Sequence, residues 1–182
     1  MEALLLVDVQ LGLSDPARGR RNNPQAESNM GRLLNFWRAQ SWPVIHIQHD
    51  SEEKESLLRP GLPGHALHPA VTPLPGESLF HKTVHSAFIG TPLESLLRQN
   101  AIHSLVIAGL TTDHCVSTTV RMAADLGFRV TLVSDATAAF ECVDLAGAKL
   151  DAEWVHQVQL ASLQGEFCHV ATTETVLRDR QH

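Results

Sequence analysis

The chain has 182 residues, of which 43% are hydrophobic, 19% charged and 5% aromatic; that is enough to bury one sizeable core and too apolar for a disordered or collagen-like polymer. The formal net charge is −6, and the one basic cluster, Arg18, Arg20 and Arg21, sits in a Gly/Pro/Asn-rich loop, so nucleic acid is not an expected partner. Cys115, Cys142 and Cys168 are widely spaced and form no Cys-x-x-Cys pair, which excludes a disulfide scaffold or a zinc ribbon.

Residues 3–7 form a continuous apolar run that meets Asp8, the pattern of a strand buried on both faces in a parallel sheet. That run is too short for a signal peptide or a membrane span, and with unpaired cysteines it points to a cytoplasmic protein with no membrane partner. Met30, Leu33, Leu34 and Trp37 recur at helical spacing and predict a helix over 25–40; Pro43 then opens a second apolar run over 44–48. From 49 to 77, the breakers Pro60, Gly61, Pro63, Gly64, Pro69, Pro73, Pro75 and Gly76 forbid a long helix or strand. A loop of that length is expected to wall a binding site.

A short third strand at Leu79 and Phe80 ends at Lys82. Thr91-Pro92-Leu93-Glu94 reads as a capping box, with Thr91 at the N-cap and Pro92 at the first helical position of a helix that ends near Asn100. The strongly apolar run 104–110 predicts the central strand. A tight turn over 109–115 then leads into a helix through Leu126 that Gly127 stops. Strands over 128–133 and 167–171 are separated by a helix over 144–163 that Gly165 terminates. Six strands alternating with helices imply an α/β fold: a three-layer α/β/α, doubly wound, mostly parallel six-stranded sheet in one domain, 1–182.

Ligands of such sheets bind at the carboxyl ends of the strands, where the winding reverses. Those ends carry Asp8, Lys82 and the segment Gly109-Leu110-Thr111-Thr112-Asp113-His114-Cys115, so a carboxylate, an ammonium and a thiol are expected in one crevice. A carboxylate at the end of a buried strand needs a proton or a cation, and Lys82 can supply it. Cys115 lies at the mouth of a helix, whose free N–H groups and a nearby lysine would favour the thiolate. Cys142 and Cys168 read as small buried hydrophobes.

Leu5-Leu6-Val7-Asp8-Val9-Gln10, Phe80-His81-Lys82-Thr83 followed by Ser86-Ala87-Phe88, and Gly109-Leu110-Thr111-Thr112-Asp113-His114-Cys115-Val116 occur in that order. On these motifs the chain resembles the isochorismatase-like cysteine hydrolase superfamily, nearly end to end. The resemblance implies a catalytic triad of Asp8, Lys82 and Cys115: Asp8 accepts the thiol proton, Lys82 holds carboxylate and thiolate, and sulfur attacks an electrophilic carbon. It also implies a cis Leu110–Thr111 peptide, with the N–H groups of Thr111 and Cys115 aimed at one oxyanion. The family's nicotinamidase branch binds a metal through an Asp-x-His pair after the second strand, whereas this chain has His46-Ile47-Gln48-His49-Asp50.

Residues three apart on a strand point to opposite faces, so His46 and His49 do not share a metal. His65 and His68 are the other potential ligands, in a loop where solvated histidines are common; no metal and no cofactor are expected, and nicotinamide is demoted as substrate. Gln10, His49, Phe88 and His114 are the expected pocket residues, since each adjoins a strand end or follows the lysine segment. Trp154 reads as lid, subunit contact or core filler. The leading function is hydrolysis of a small amide or carbamoyl C–N bond through a thioester, with a small-molecule substrate and, as in the family, a homodimer or homotetramer. The alternatives are vinyl-ether hydrolysis of an isochorismate-like acid, and a small-ligand-binding relative without turnover.

Overall fold

The computed structural model describes residues 1–181. In chain order its elements are β1 (Glu2–Val7), α1 (Ala26–Ala39), β2 (Val44–His49), β3 (Ser78–Lys82), α2 (Leu93–Gln99), β4 (Ser104–Leu110), α3 (Ser117–Asp125), β5 (Arg129–Ala138), β6 (Cys142–Val143), β7 (Lys149–Leu150), α4 (Ala152–Leu163), β8 (His169–Ala171) and α5 (Thr173–Arg178). The principal sheet runs β3-β2-β1-β4-β5-β8 and every neighbouring pair is parallel. The chain winds outward from β1 to β3, returns past β1 to β4, and winds outward again. The reversal therefore falls between β1 and β4, the place where an open parallel sheet leaves a crevice at its carboxyl end.

Alternation along the strands divides the core into two layers. Leu5, Val7, Ile45, Ile47, Leu105 and Ile107 pack under Leu93 and Leu97 of α2, Val120 of α3 and Leu160 of α4. Leu4, Leu6, Val44, Val106 and Ala108 face Met30, Leu33, Leu34 and Trp37 of α1. Each such aliphatic side chain contributes roughly 1.5–3 kcal/mol on burial. Gly109, paired with Val7, has φ +139°, and a Cβ there would stand 2.1 Å from the Val7 carbonyl oxygen. Only glycine lets β4 lie this close to β1 at the crevice.

Several local expectations are corrected. The helix expected from Thr91 begins at Leu93 with Pro92 as its cap; the Thr91 hydroxyl donates to the Ala87 carbonyl (2.5 Å) and accepts from Leu93 N–H (3.3 Å), shifting the start by one residue. The helix expected from 144 begins at Ala152, capped by Asp151. The preceding residues form the β6–β7 hairpin, closed by the Asp144 carboxylate, which accepts from Ala146 and Ala148 N–H, and by Gly147 in the left-handed region. Cys142 is consequently exposed, whereas Cys168 is buried. β5 continues beyond 133 to Ala138, and β8 starts at His169 because Phe167 and Cys168 still bond back to Leu163 of α4. Trp154 is 61% exposed and is not core filler.

The long loop is folded onto the domain. It contains 3-10 turns at Pro63–His65 and Pro69–Val71, and Gly64 lies so close to Leu57 that a Cβ would meet its carbonyl at 2.7 Å.

Candidate active site

Asp8 leaves β1 with φ +52°, a left-handed conformation that aspartate tolerates better than most residues, while its N–H still donates to Ile47 O (3.0 Å). Its carboxylate is turned into the crevice. Lys82 is the last residue of β3, and Cys115 sits in a π-helical turn, Thr112–Val116, that leads into α3. The Leu110–Thr111 peptide just before that turn is cis.

Lys82 joins them. Its Nζ donates to Asp8 Oδ2 (2.6 Å), to His49 Nδ1 (3.1 Å) and to Cys115 Sγ (3.4 Å). An ammonium has three donors and no acceptor, so this set is saturated. It follows that His49 accepts at Nδ1 and carries its proton on Nε2. Lys82 and Asp8 are both almost wholly buried, and the other Asp8 oxygen, Oδ1, is buried without a donor. A carboxylate oxygen of Asp8, a ring nitrogen of His49 and Cys115 Sγ lie within 4.8 Å of one another.

Burial pushes Asp8 above its ordinary value, against the pull of Lys82 and of the Cys115 hydrogen bond. Burial, followed by the charge of Asp8, pushes the Cys115 thiol up to about 12. This overturns the expectation of a preformed thiolate: loss of solvent and the adjacent carboxylate outweigh Lys82, so the resting thiol is neutral, beside a carboxylate whose proton affinity burial has raised. Burial, then Lys82, holds His49 below its ordinary value, in keeping with a neutral acceptor.

The turn that carries Cys115 is held from behind by residues that sequence reasoning missed. Thr112 Oγ1 lies 3.0 Å from Thr137 Oγ1 and 2.8 Å from His156 Nδ1. His156 also bonds the Ser134 carbonyl, and Asn23 Nδ2 donates to the carbonyls of Ser134 (2.9 Å) and Thr137 (2.7 Å). With Nε2 donating to Ser134, His156 Nδ1 accepts from Thr112. The signal was present: His156 occupies the buried stripe Ala152, His156, Leu160, Leu163 of α4, where a polar ring requires partners.

Asp8 and Cys115 lie in a cleft of about 860 Å³ that His49 and His114 also line. The other two expected pocket residues lie elsewhere. Gln10 is fully buried, and its amide is consumed by backbone groups: it donates to His49 O (3.0 Å) and His65 O (2.9 Å) and accepts from His49 N–H (2.9 Å). It fastens the long loop to β2. Phe88 belongs to the core, stacked on Phe128 at 5.9 Å. Ser51, Glu52, His85 and Glu141 are lining residues that no motif had marked, and Asp113, inside the third motif, lines the cleft as well.

Two groups have metal-ligand spacing. In the first, Asp8, His49 and Cys115, the Lys82 ammonium already donates to all three and occupies the place a cation would take. In the second, Asp50 Oδ1 lies 2.7 Å from His65 Nε2 and 3.0 Å from His81 Nδ1. Gln48 Nε2 donates to His65 O (2.8 Å) and lies 3.4 Å from His65 Nδ1, so the lone pair of that ring faces Gln48 and Nε2–H faces Asp50. That is a hydrogen-bonded cluster and not a set of free lone pairs. His68 does not join His65, since its Nδ1 accepts from Ala70 N–H. His46 points away from His49, to Glu77 (2.9 Å).

No helix among the described residues is long and apolar enough to cross a membrane. Residues 2–175 match the model of the isochorismatase domain. The chain is 46% identical, over 98% of its length and 95% of the relative's, to the isochorismatase family protein YrdC of Bacillus subtilis. It superposes with TM-score 0.94 and 48% identity on a crystal structure of an isochorismatase-family hydrolase from Chromobacterium violaceum, covering 97% of this chain and 92% of that one. A more distant relative is the ureidoacrylate amidohydrolase RutB of Caulobacter vibrioides, 33% identical over 57% of this chain and 45% of its own. The crevice at the winding reversal is thus built on the fold and the sequence of a known hydrolase group: the chain belongs to the isochorismatase family.

Proposed function

We propose that this isochorismatase-family hydrolase cleaves the C–N bond of a small amide or carbamoyl compound through a thioester on Cys115. The observation that carries the reading is the buried Lys82 ammonium shared between Asp8 and Cys115. Asp8, made more basic by burial, takes the thiol proton as sulfur adds to the carbonyl carbon, so the thiolate exists only as it is consumed. Lys82 stabilises the charge on either partner. The N–H groups of Thr111 and Cys115 receive the carbonyl oxygen as it becomes an oxyanion.

The C–N bond then breaks, and Asp8 returns its proton to the departing nitrogen. Water enters, gives a proton to Asp8 and attacks the thioester; collapse expels the sulfur, which is reprotonated, and the carboxylic acid leaves. The name of the related amidohydrolase supports a C–N substrate, and a nucleophilic sulfur has no task in vinyl-ether hydrolysis.

The test is turnover of a panel of small amides by the wild type, Cys115→Ala and Asp8→Asn, with intact-mass detection of an acyl adduct. Activity is expected to vanish in Cys115→Ala and to fall by about 10²–10⁴ in Asp8→Asn. Full activity in either variant refutes the mechanism.

A further inference from the structure

His49 and Lys82 are register partners at the carboxyl ends of β2 and β3, so their side chains leave the sheet together. The backbone of His49 is clamped by the Gln10 amide, which accepts from its N–H (2.9 Å) and donates to its carbonyl (3.0 Å). Its ring is held at one end by Lys82 Nζ, which donates to Nδ1 (3.1 Å). The free end is Nε2. Among the described residues no group bonds that nitrogen, yet it is not closed off from solvent, and His49 lines the cleft that holds Asp8 and Cys115.

A neutral imidazole carries one proton. With Nδ1 committed as an acceptor, Nε2 is the donor. Protonating the ring would remove the lone pair that Lys82 uses and set two cations 3.1 Å apart. His49 is therefore a hydrogen-bond donor of fixed direction and not an acid that hands over its proton, in keeping with the burial and the Lys82 charge that hold it below its ordinary value. A donor fixed before any ligand arrives orients one without reorganising.

In the amidase reading the N–H groups of Thr111 and Cys115 are taken by the scissile carbonyl, so the His49 donor serves a different oxygen. A ring nitrogen of His49 lies within 4.8 Å of Cys115 Sγ. A scissile carbon poised about 3–3.5 Å from that sulfur and an acceptor about 2.9 Å from Nε2 then belong to one small molecule, a few bonds apart. We infer that His49 is a specificity-determining residue, and that the substrate is a small amide with a second acceptor oxygen close to its scissile carbonyl. This deepens the cysteine-amidase reading and rests on it.

The probes are two matched pairs of p-nitrophenyl esters: methoxyacetate with butyrate, and levulinate with isocaproate. The first of each pair carries an acceptor oxygen, nearer the ester carbonyl in one and farther in the other, and the second is its hydrocarbon isostere. Each transfers its acyl group to Cys115 Sγ and releases p-nitrophenolate; intact mass on a Cys142→Ala background places the adduct, and rates are divided by those with a small free thiol. The acceptor ester of at least one pair is expected to acylate about five- to tenfold faster than its isostere.

That ratio, which does not depend on how much of a variant folds, is expected to approach unity in His49→Phe and to survive in part in His49→Gln, whose amide can accept from Lys82 and donate into the cleft. Nitrogen NMR of the wild-type imidazole, assigned by its loss in His49→Gln, is expected to show the proton on Nε2. A proton on Nδ1, no acceptor preference in either pair with Cys115 acylated, or a preference unchanged in His49→Phe overturns the inference and leaves the amidase reading standing. No adduct on Cys115 from any ester overturns both.

Discussion

One ammonium with its three donors assigned sets the properties of every residue around it. Lys82 and Asp8 form a buried pair, and breaking such a pair costs far more than removing it whole. Lys82→Met is expected to lower the unfolding free energy by about 3–5 kcal/mol, because Asp8 is left charged and alone; the Asp8→Asn, Lys82→Met double variant recovers most of that loss while staying inactive. Urea unfolding of the two single variants and the double variant measures this, and a double variant no more stable than the worse single one would refute the pairing. Thiol reactivity tests the neutral Cys115. A general alkylating reagent near neutral pH is expected to modify exposed Cys142 first, because the Cys115 thiol stands at about 12 behind its carboxylate. Peptide mapping that finds Cys115 labelled first would show a preformed thiolate. Asp8, Lys82 and Cys115 were legible as residues because each ends or follows an apolar run. The protonation state was not legible, since it depends on burial that only the assembled crevice supplies.

At the level of elements, the buried strands were the most readable feature, because the apolar runs that end at Asp8 and Thr111 leave few alternatives. The β6–β7 hairpin was obscured: Asp144 and Gly147 mark its turn, but Leu145, Ala146 and Ala148 between and beside them extend an apparently helical pattern into α4. The long loop read correctly as a segment without long elements, yet its anchors could not be read at all. Glu77 binds Arg38 of α1 (2.6 Å), His46 of β2 (2.9 Å) and Leu74 N–H (2.9 Å), partners brought together only by the fold. The turn that carries Cys115 has a comparable brace in His156. His156→Leu is expected to lower kcat by about 10–100-fold with a smaller change in KM, since Thr112 loses its acceptor and Cys115, proposed as the nucleophile, shifts. His156→Gln, which can present an acceptor, is expected to restore part of the rate. Equal kcat for wild type and His156→Leu in steady-state kinetics would show that α4 does no more than cover the core.

For the molecule as a whole, the titrating groups set a window of pH in which the fold is most stable. Burial holds His46, His49 and His156 below their ordinary value. The unfolded chain therefore takes up protons near 6.5 that the native state refuses, and stability falls as pH drops below about 6.5. Burial pushes Glu77 up, but Arg38, Leu74 N–H and His46 outweigh it and hold it at about 2. Burial likewise opposes, and partners overcome, in Glu27, bound by Arg21, and in Asp50, bound by His65 and His81; both are lowered. The stability these carboxylates contribute is present above the ordinary carboxylate range and is lost as pH falls through it, for Glu77 between 4.5 and about 2. Asp8, raised by burial, runs the other way, one group against several. On the alkaline side burial keeps Cys115 protonated to about 12 and Cys168 to about 11, while unfolded thiols ionise near 9, so stability falls again as pH rises past about 9. A plateau between about 6.5 and 9 is expected in the melting temperature measured by calorimetry across pH. Glu77→Gln should lower the plateau and flatten the acid limb, and Cys168→Ala should flatten the alkaline one. A melting temperature that peaks below pH 5, or that does not change from 9 to 11, would mean that these buried groups do not govern the native state.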